Sequence, residues 1–275
     1  MKKSLYIIGG IIVVVVLGYS QRSTIRDFLT QASKTNLPAE VTYNEVNDES
    51  SNQVASSTNS DNEDESKPNT TQPRPTTTTP QPTPKSSTIK ASVNLAVPFQ
   101  AQAPFGEWVM PYKEACEEAS LIMVDYYLRG MSLSKQQMED EIDDQVAWQE
   151  TEFGGHFDLP IAQVAEIAQA FYDYNVEIIP NLTVEKIKQQ LNLGRPIVIP
   201  SAGRALGNPN FTPPGPLYHM LVIKGYKENG DFITNDPGTR NGANYVYSEE
   251  VLMASIRDWD GDSPDGGVTG LVMYR

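Results

Sequence analysis

The sequence predicts an α+β domain in the C-terminal two thirds of a 275-residue chain. Three observations predict it. Between Glu117 and Gly194 apolar residues recur at helical spacing, whereas from Pro196 to Tyr274 they gather in short β-branched runs bounded by turn residues. Helices first and strands afterwards is the pattern of α+β. The first 88 residues, after one apolar run, hold almost no large apolar side chains and cannot offset the entropy of ordering.

The chain opens MKKSLYIIGGIIVVVVLGYSQRS, two lysines followed by an apolar run from Leu5 to Tyr19. Ser4 and Ser20 extend the run to the lower limit for a spanning helix. A cleaved signal peptide is the alternative, but no small-x-small cleavage pattern follows. Residues 1–22 are therefore expected to anchor the chain in the cell membrane by a single pass, with Lys2 and Lys3 cytoplasmic and the rest outside the cytoplasm. Cleavage would make the protein secreted.

Residues 23–88 are expected to be a disordered stalk. Residues 23–44 suit a short juxtamembrane helix, after which Ser, Asn, Asp and Glu dominate. KPNTTQPRPTTTTPQPTPKSST, from Lys67 to Thr88, is of the stiff, extended kind. The folded domain is expected over 89–275. It begins with the extended lead-in ASVNLAVPFQAQAPFGEW. A helix from Glu117 to Arg129 follows, with Ala119, Ile122, Met123, Tyr126 and Tyr127 on one face and Gly130 as its stop. Ser134 and Gln137 form a capping box for a second helix running through Asp144. A third starts after Asp158 with Pro160 early and Ile161, Val164, Ile167, Ala168 and Phe171 on one face. Thr183 caps a fourth that stops at Gly194. Strands are expected at 176–180, 196–200, 218–226, 231–235, 244–247 and 268–274.

Residues 89–275 carry 13 basic and 26 acidic side chains, a net charge near −13. So acidic a surface repels phosphate backbones and anionic lipid, which excludes nucleic-acid partners.

Cys116 is the chain's one cysteine and stands at a helix start, where unpaired N–H groups and the helix dipole favour a thiolate. Of two histidines, His219 begins the apolar run YHMLVIKGY and can be held rigidly as a base. Asp236, seventeen residues on in ITNDPGT, is placed to accept the Nδ1 proton of His219. Gln102 can polarise an oxyanion together with the Cys116 N–H, and Gln100 competes for that role. Singly, each has a duller reading: a small buried hydrophobe, a core histidine, an Asx-type turn before Pro237 and Gly238.

VPFQAQAPFGEW, PYKEACEEASLIMVDYYL, YHMLVIKGY and ITNDPGT, in that order, resemble the papain-like cysteine peptidases of family thirty-nine, the bacteriocin-processing or double-glycine-leader type, and more narrowly its stand-alone branch without a transporter. The resemblance covers about residues 92–274. It implies a papain-like fold, a helical part with the nucleophile at a helix start packed on an antiparallel sheet. It also implies Cys116 as nucleophile, His219 as base, Asp236 as its orienter and Gln102 as oxyanion donor, with a peptide or protein substrate. A monomer without cofactor or metal is expected. An inert peptide- or envelope-binding module, and a cell-wall peptide amidohydrolase or transamidase, remain as alternatives.

Many members of that family follow the cysteine with Gly-Pro, where this chain has Glu117-Glu118. A carboxylate beside a thiolate raises its pKa, so both glutamates are expected to turn away from the sulfur and serve the helix start; the alternative is contact with a basic group on the substrate. GRALGNPNFTPPGP, Gly203 to Pro216, is too long for a simple turn and is a candidate cleft wall. His156, on a Gly-Gly turn, is expected to be structural. The aspartates at 258, 260, 262 and 265 suggest calcium, but Ser263 and Thr269 stand where an EF-hand needs glycine and glutamate.

Overall fold

The computed structural model describes residues 36–48 and 89–275. The expected anchor at 1–22 and most of the expected stalk lie outside the described residues. Among the described residues no helix is long and apolar enough to cross a membrane.

One antiparallel sheet organises the domain. Across it run β2 (Asn175–Pro180), β7 (Thr269–Tyr274), β3 (Ile197–Ala202), β4 (Tyr218–Tyr226), β5 (Phe232–Asn235) and β6 (Tyr245–Tyr247). The short β1 (Val93–Asn94) joins the far end of β4, with Asn94 opposite Gly225. All nine residues of β4 are buried, which is why its sequence shows no in-out alternation. Its register with β3 sets His219 across from Ser201 near the strand's first residue.

Helix α1 (Cys116–Arg129) lies against β4 and is buried from Cys116 to Leu128. Its periodicity predicts one apolar face, yet Glu117, Glu118 and Asp125 are buried as well. The helix ends where Gly130, at φ 67°, donates to the Tyr126 and Tyr127 carbonyls, a left-handed cap suited to glycine. Helix α2 (Lys135–Glu152) has the expected Ser134–Gln137 capping box but runs two turns past Asp144. Polar side chains conceal its inner stripe: Gln145 donates to the Tyr172 hydroxyl at 2.9 Å and Gln149 donates to Glu118. Helix α3 (Ile161–Phe171) packs on β2 and β7, and α4 (Val184–Asn192), capped by the Thr183 hydroxyl, on β3 and β4. Helix α5 (Glu249–Ser255) and the 3-10 turns Tyr112–Glu114 and Gly203–Leu206 are too short to announce themselves by periodicity.

The expected stalk fails at residues 36–48, which lie on the domain. Val41 forms a parallel bridge with Leu95, and Asn94 donates its side-chain amide to the Pro38 carbonyl at 2.9 Å. Tyr43 and Val46 are buried, the former edge-on to Tyr127 at 5.7 Å. The cause is a charge in the sheet: Lys224, 1% exposed, binds Glu40 Oε1 and Asn244 Oδ1 at 2.6 Å each. A buried ammonium needs such partners. Val46 packs against Gly194, and Lys90 N–H donates to Asn192 Oδ1, so the described chain leaves at 48 and resumes at 89 near the same end of α4.

Candidate active site

The N-terminus of α1 and the start of β4 meet at a cleft of about 940 Å³, whose lining includes Gln102, Trp108, Cys116, Asp158, Phe211 and His219. Gln100 is directed elsewhere, donating to the Leu133 carbonyl at 3.1 Å. Residues 210–212 and 215–217, from the Pro/Gly-rich loop and the residue after it, line one side of the cleft.

His219 and Asp236 are paired, Nε2 to Oδ1 at 2.8 Å, with both side chains buried. The expected contact through Nδ1 is thus corrected: Nε2 faces Asp236, and Nδ1 has no hydrogen-bond partner among the described residues. Asp236 follows directly on β5, which pairs with β4, so its carboxylate reaches the ring from the neighbouring strand and meets Nε2. Asp236 Oδ1 also accepts the Gly238 N–H at 3.0 Å, so the Asx turn and the histidine contact coexist. Its Oδ2 accepts from Tyr247 at 2.6 Å and Asn208 at 3.0 Å. Burial alone would raise this carboxyl's pKa, but the His219 ring and these donors outweigh it and hold it below the usual value. Phe211 stands edge-on to the imidazole at 5.3 Å. Asn208 and Phe211 come from the Pro/Gly-rich loop and Tyr247 from β6; none is a candidate site residue by sequence, and only the fold brings them to the pair.

Cys116 and His219 share the cleft without a direct hydrogen bond. The thiol donates instead to Glu117 Oε2 at 3.0 Å, contrary to the expectation that this glutamate turns aside. Glu117 is held there because its Oε1 accepts the Leu159 N–H at 3.2 Å. Burial, and then the Glu117 charge, push the Cys116 thiol well above its ordinary pKa; the Met220 N–H works the other way. Burial and then Glu118 push Glu117 up in turn.

Glu118 does point away from the sulfur, toward Gln149 and His156, whose Nε2 lies 3.4 Å from Glu118 Oε1. Burial alone would lower the His156 pKa, but Glu118 reverses that and the net shift is upward. Asp158, on the cleft wall, is raised by its burial and then by Glu114.

Gln102 is buried beside the cleft, and its backbone N–H donates to the Pro237 carbonyl at 3.0 Å. Its amide donates to the Tyr112 and Lys113 carbonyls at 3.1 and 3.0 Å, while Oε1 is buried without a partner. Two carbonyls require the NH2 group at that end. The expected oxyanion donation thus demands that Gln102 release one of these bonds.

Asp258 and Asp260, between α5 and β7, serve the backbone. Asp258 Oδ1 accepts from Ile161 at the start of α3 and from Trp259, both at 2.9 Å, and Asp260 Oδ1 accepts from Asp262 and Ser263.

A family model described as the Peptidase C39-like family matches residues 94–263. No curated protein matches the sequence. Among solved structures, one described as a C39-like peptidase from Bacillus anthracis is similar at 16% identity, covering 67% of this chain and 98% of that one with a TM-score of 0.45. A prointerpain A fragment from Prevotella intermedia is similar at 14% identity, covering 62% of this chain and 49% of that one with a TM-score of 0.32.

Proposed function

The chain belongs to the Peptidase C39-like family, and on that premise we propose that it is a cysteine peptidase hydrolysing peptide bonds in its cleft, with Cys116 as nucleophile, His219 as proton carrier, Asp236 as its orienter and Gln102 as oxyanion donor. The observation that carries this reading is the buried His219–Asp236 pair opening on the cleft that holds the only cysteine. Such a pair keeps one tautomer: with the proton on Nε2, Nδ1 is left to take up a proton.

The Cys116 thiolate attacks the scissile carbonyl carbon. The oxyanion is met by the Cys116 N–H at the first turn of α1 and by Gln102 once one of its carbonyl bonds is released. His219 gives a proton to the leaving amine and takes one from the water that hydrolyses the thioester. In this reading residues 1–22 hold the domain at the outer side of a membrane, or are cleaved to release it.

One observation favours a second reading, an inert peptide-binding module: the thiol is bonded to a carboxylate rather than to an imidazole. Hydrolysis of a peptide library by the full chain, compared with Cys116→Ala and His219→Ala, decides between them. The peptidase reading expects product from the wild type alone. Equal turnover by Cys116→Ala, or none by the wild type with peptide binding retained, overturns it. Cleavage of muropeptides without peptide cleavage would assign the same nucleophile to a cell-wall amidohydrolase.

A further inference from the structure

Among the described residues, one ionisable side chain hydrogen-bonds to the reacting atom, and the machinery above leaves it unused. Glu117 Oε2 accepts from Cys116 Sγ at 3.0 Å, with both residues almost fully buried. Its other oxygen is fixed by the Leu159 N–H, so the carboxylate is seated rather than swinging in solvent. An ionised carboxylate there opposes thiolate formation, and at low dielectric the opposition is strong.

We infer that Glu117 is a further catalytic residue, a proton holder that keeps Cys116 as a neutral thiol at rest and yields the nucleophile when it becomes protonated itself. This rests on Cys116 being the nucleophile. The resting set is thiol, carboxylate and neutral His219, with one shared proton. In the reactive set the S–H bond breaks as its proton passes to Glu117 Oε2, and one proton from solvent forms the second N–H of His219. The result is thiolate, carboxylic acid and imidazolium. The net uptake is one proton, and the new acid donates a hydrogen bond back to the sulfur.

The surroundings fit this direction. On α1 the next residue, Glu118, adds a like charge, and it is faced by Gln149 from α2 and His156 from the following loop. Asp158 and the Leu159 N–H approach from the segment before α3. From β4 come His219, the Met220 N–H and Tyr218, whose hydroxyl donates to the Leu159 carbonyl at 2.9 Å, with Asp258 beyond it. Of these groups only His156 and His219 can become positive. Burial and Glu118 favour the protonated form of Glu117.

The test is alkylation of the full chain by iodoacetamide between pH 4.5 and 9, which reports Cys116 alone because the chain has one cysteine. The wild type is expected to gain rate as pH falls from 8 toward 5, a limb an ordinary thiol lacks. Glu117→Gln, which keeps the acceptor for Leu159, should lose that limb and react about tenfold faster at pH 7.5, because the opposing carboxylate is gone. Glu118→Gln, which does not touch the sulfur, should move the limb to lower pH by removing a like charge. A wild-type rate that only falls on acidification, or a Glu117→Gln profile superimposed on the wild type, overturns the assignment. Because alkylation is the readout, absence of peptide hydrolysis would count against the peptidase reading and leave this result standing.

Discussion

His219 Nε2 and Asp236 Oδ1 lie 2.8 Å apart, and the carboxylate that holds the imidazole is itself held at its other oxygen by Tyr247 and Asn208. Tyr247→Phe removes the 2.6 Å donor and should let the Asp236 pKa rise. The loss of one hydrogen bond to a charged group corresponds to about 1.5 to 3 kcal/mol, measurable by urea denaturation. Because the Asp236 pKa is depressed in the folded state, its contribution is present above the unfolded value, about 3.9, and is lost as pH falls through the folded value. In Tyr247→Phe acid unfolding should therefore begin at higher pH than in the wild type.

Gly238 has no room for a side chain. A Cβ there would stand 2.8 Å from His219 Cε1 and 3.0 Å from Phe211. Gly238→Ala is expected to displace the ring and lower kcat on a peptide substrate about 100-fold, the order of effect of an ångström of misplacement. An unchanged kcat would show that the ring position is not critical.

His156 and Glu118 make stability depend on pH near neutrality. The folded His156 pKa is raised, so its contribution is fully present below the unfolded value, about 6.5, and is lost as pH rises through the folded value. His156→Gln should lower Tm more at pH 5.5 than at pH 8.5. Equal losses at both would mean that the 3.4 Å approach to Glu118 carries no net attraction.

Glu40 reaches Lys224 from outside the expected domain, at 2.6 Å. Glu40→Gln should cost about 1 to 3 kcal/mol in denaturant, since Asn244 remains as a partner. With a specific protease site placed at position 70, the cleaved N-terminal piece should stay with the domain on native size exclusion and leave it in urea. Release under native conditions would mean that the packing of 36–48 is too weak to hold it.

Much of the fold was legible because its signals are local. Gly130 and Gly194 stop helices, Ser134 and Thr183 cap them, and the run at 218–226 is a strand to the residue. The second helix was read two turns short because Gln145 and Gln149 occupy its inner face. Their partners, Tyr172 and Glu118, lie 27 and 31 residues away. Cys116, Gln102, His219 and Asp236 were legible as motif residues, and the cleft gathers the first three with Asp236 behind His219.

By itself the sequence determined the order of helices and strands, the placement of one cysteine at a helix start, and the histidine and aspartate that follow it. These depend on periodicity, caps and turn residues, which act within a few positions. Only the tertiary structure decided which imidazole nitrogen meets Asp236, that Asn208 and Tyr247 hold that carboxylate, that residues 36–48 supply a partner for Lys224, and that Glu117 faces the sulfur. Each of these depends on where a buried polar group finds its partner across the fold, and the need of such groups for a partner is felt only once the sheet and α1 have removed them from water.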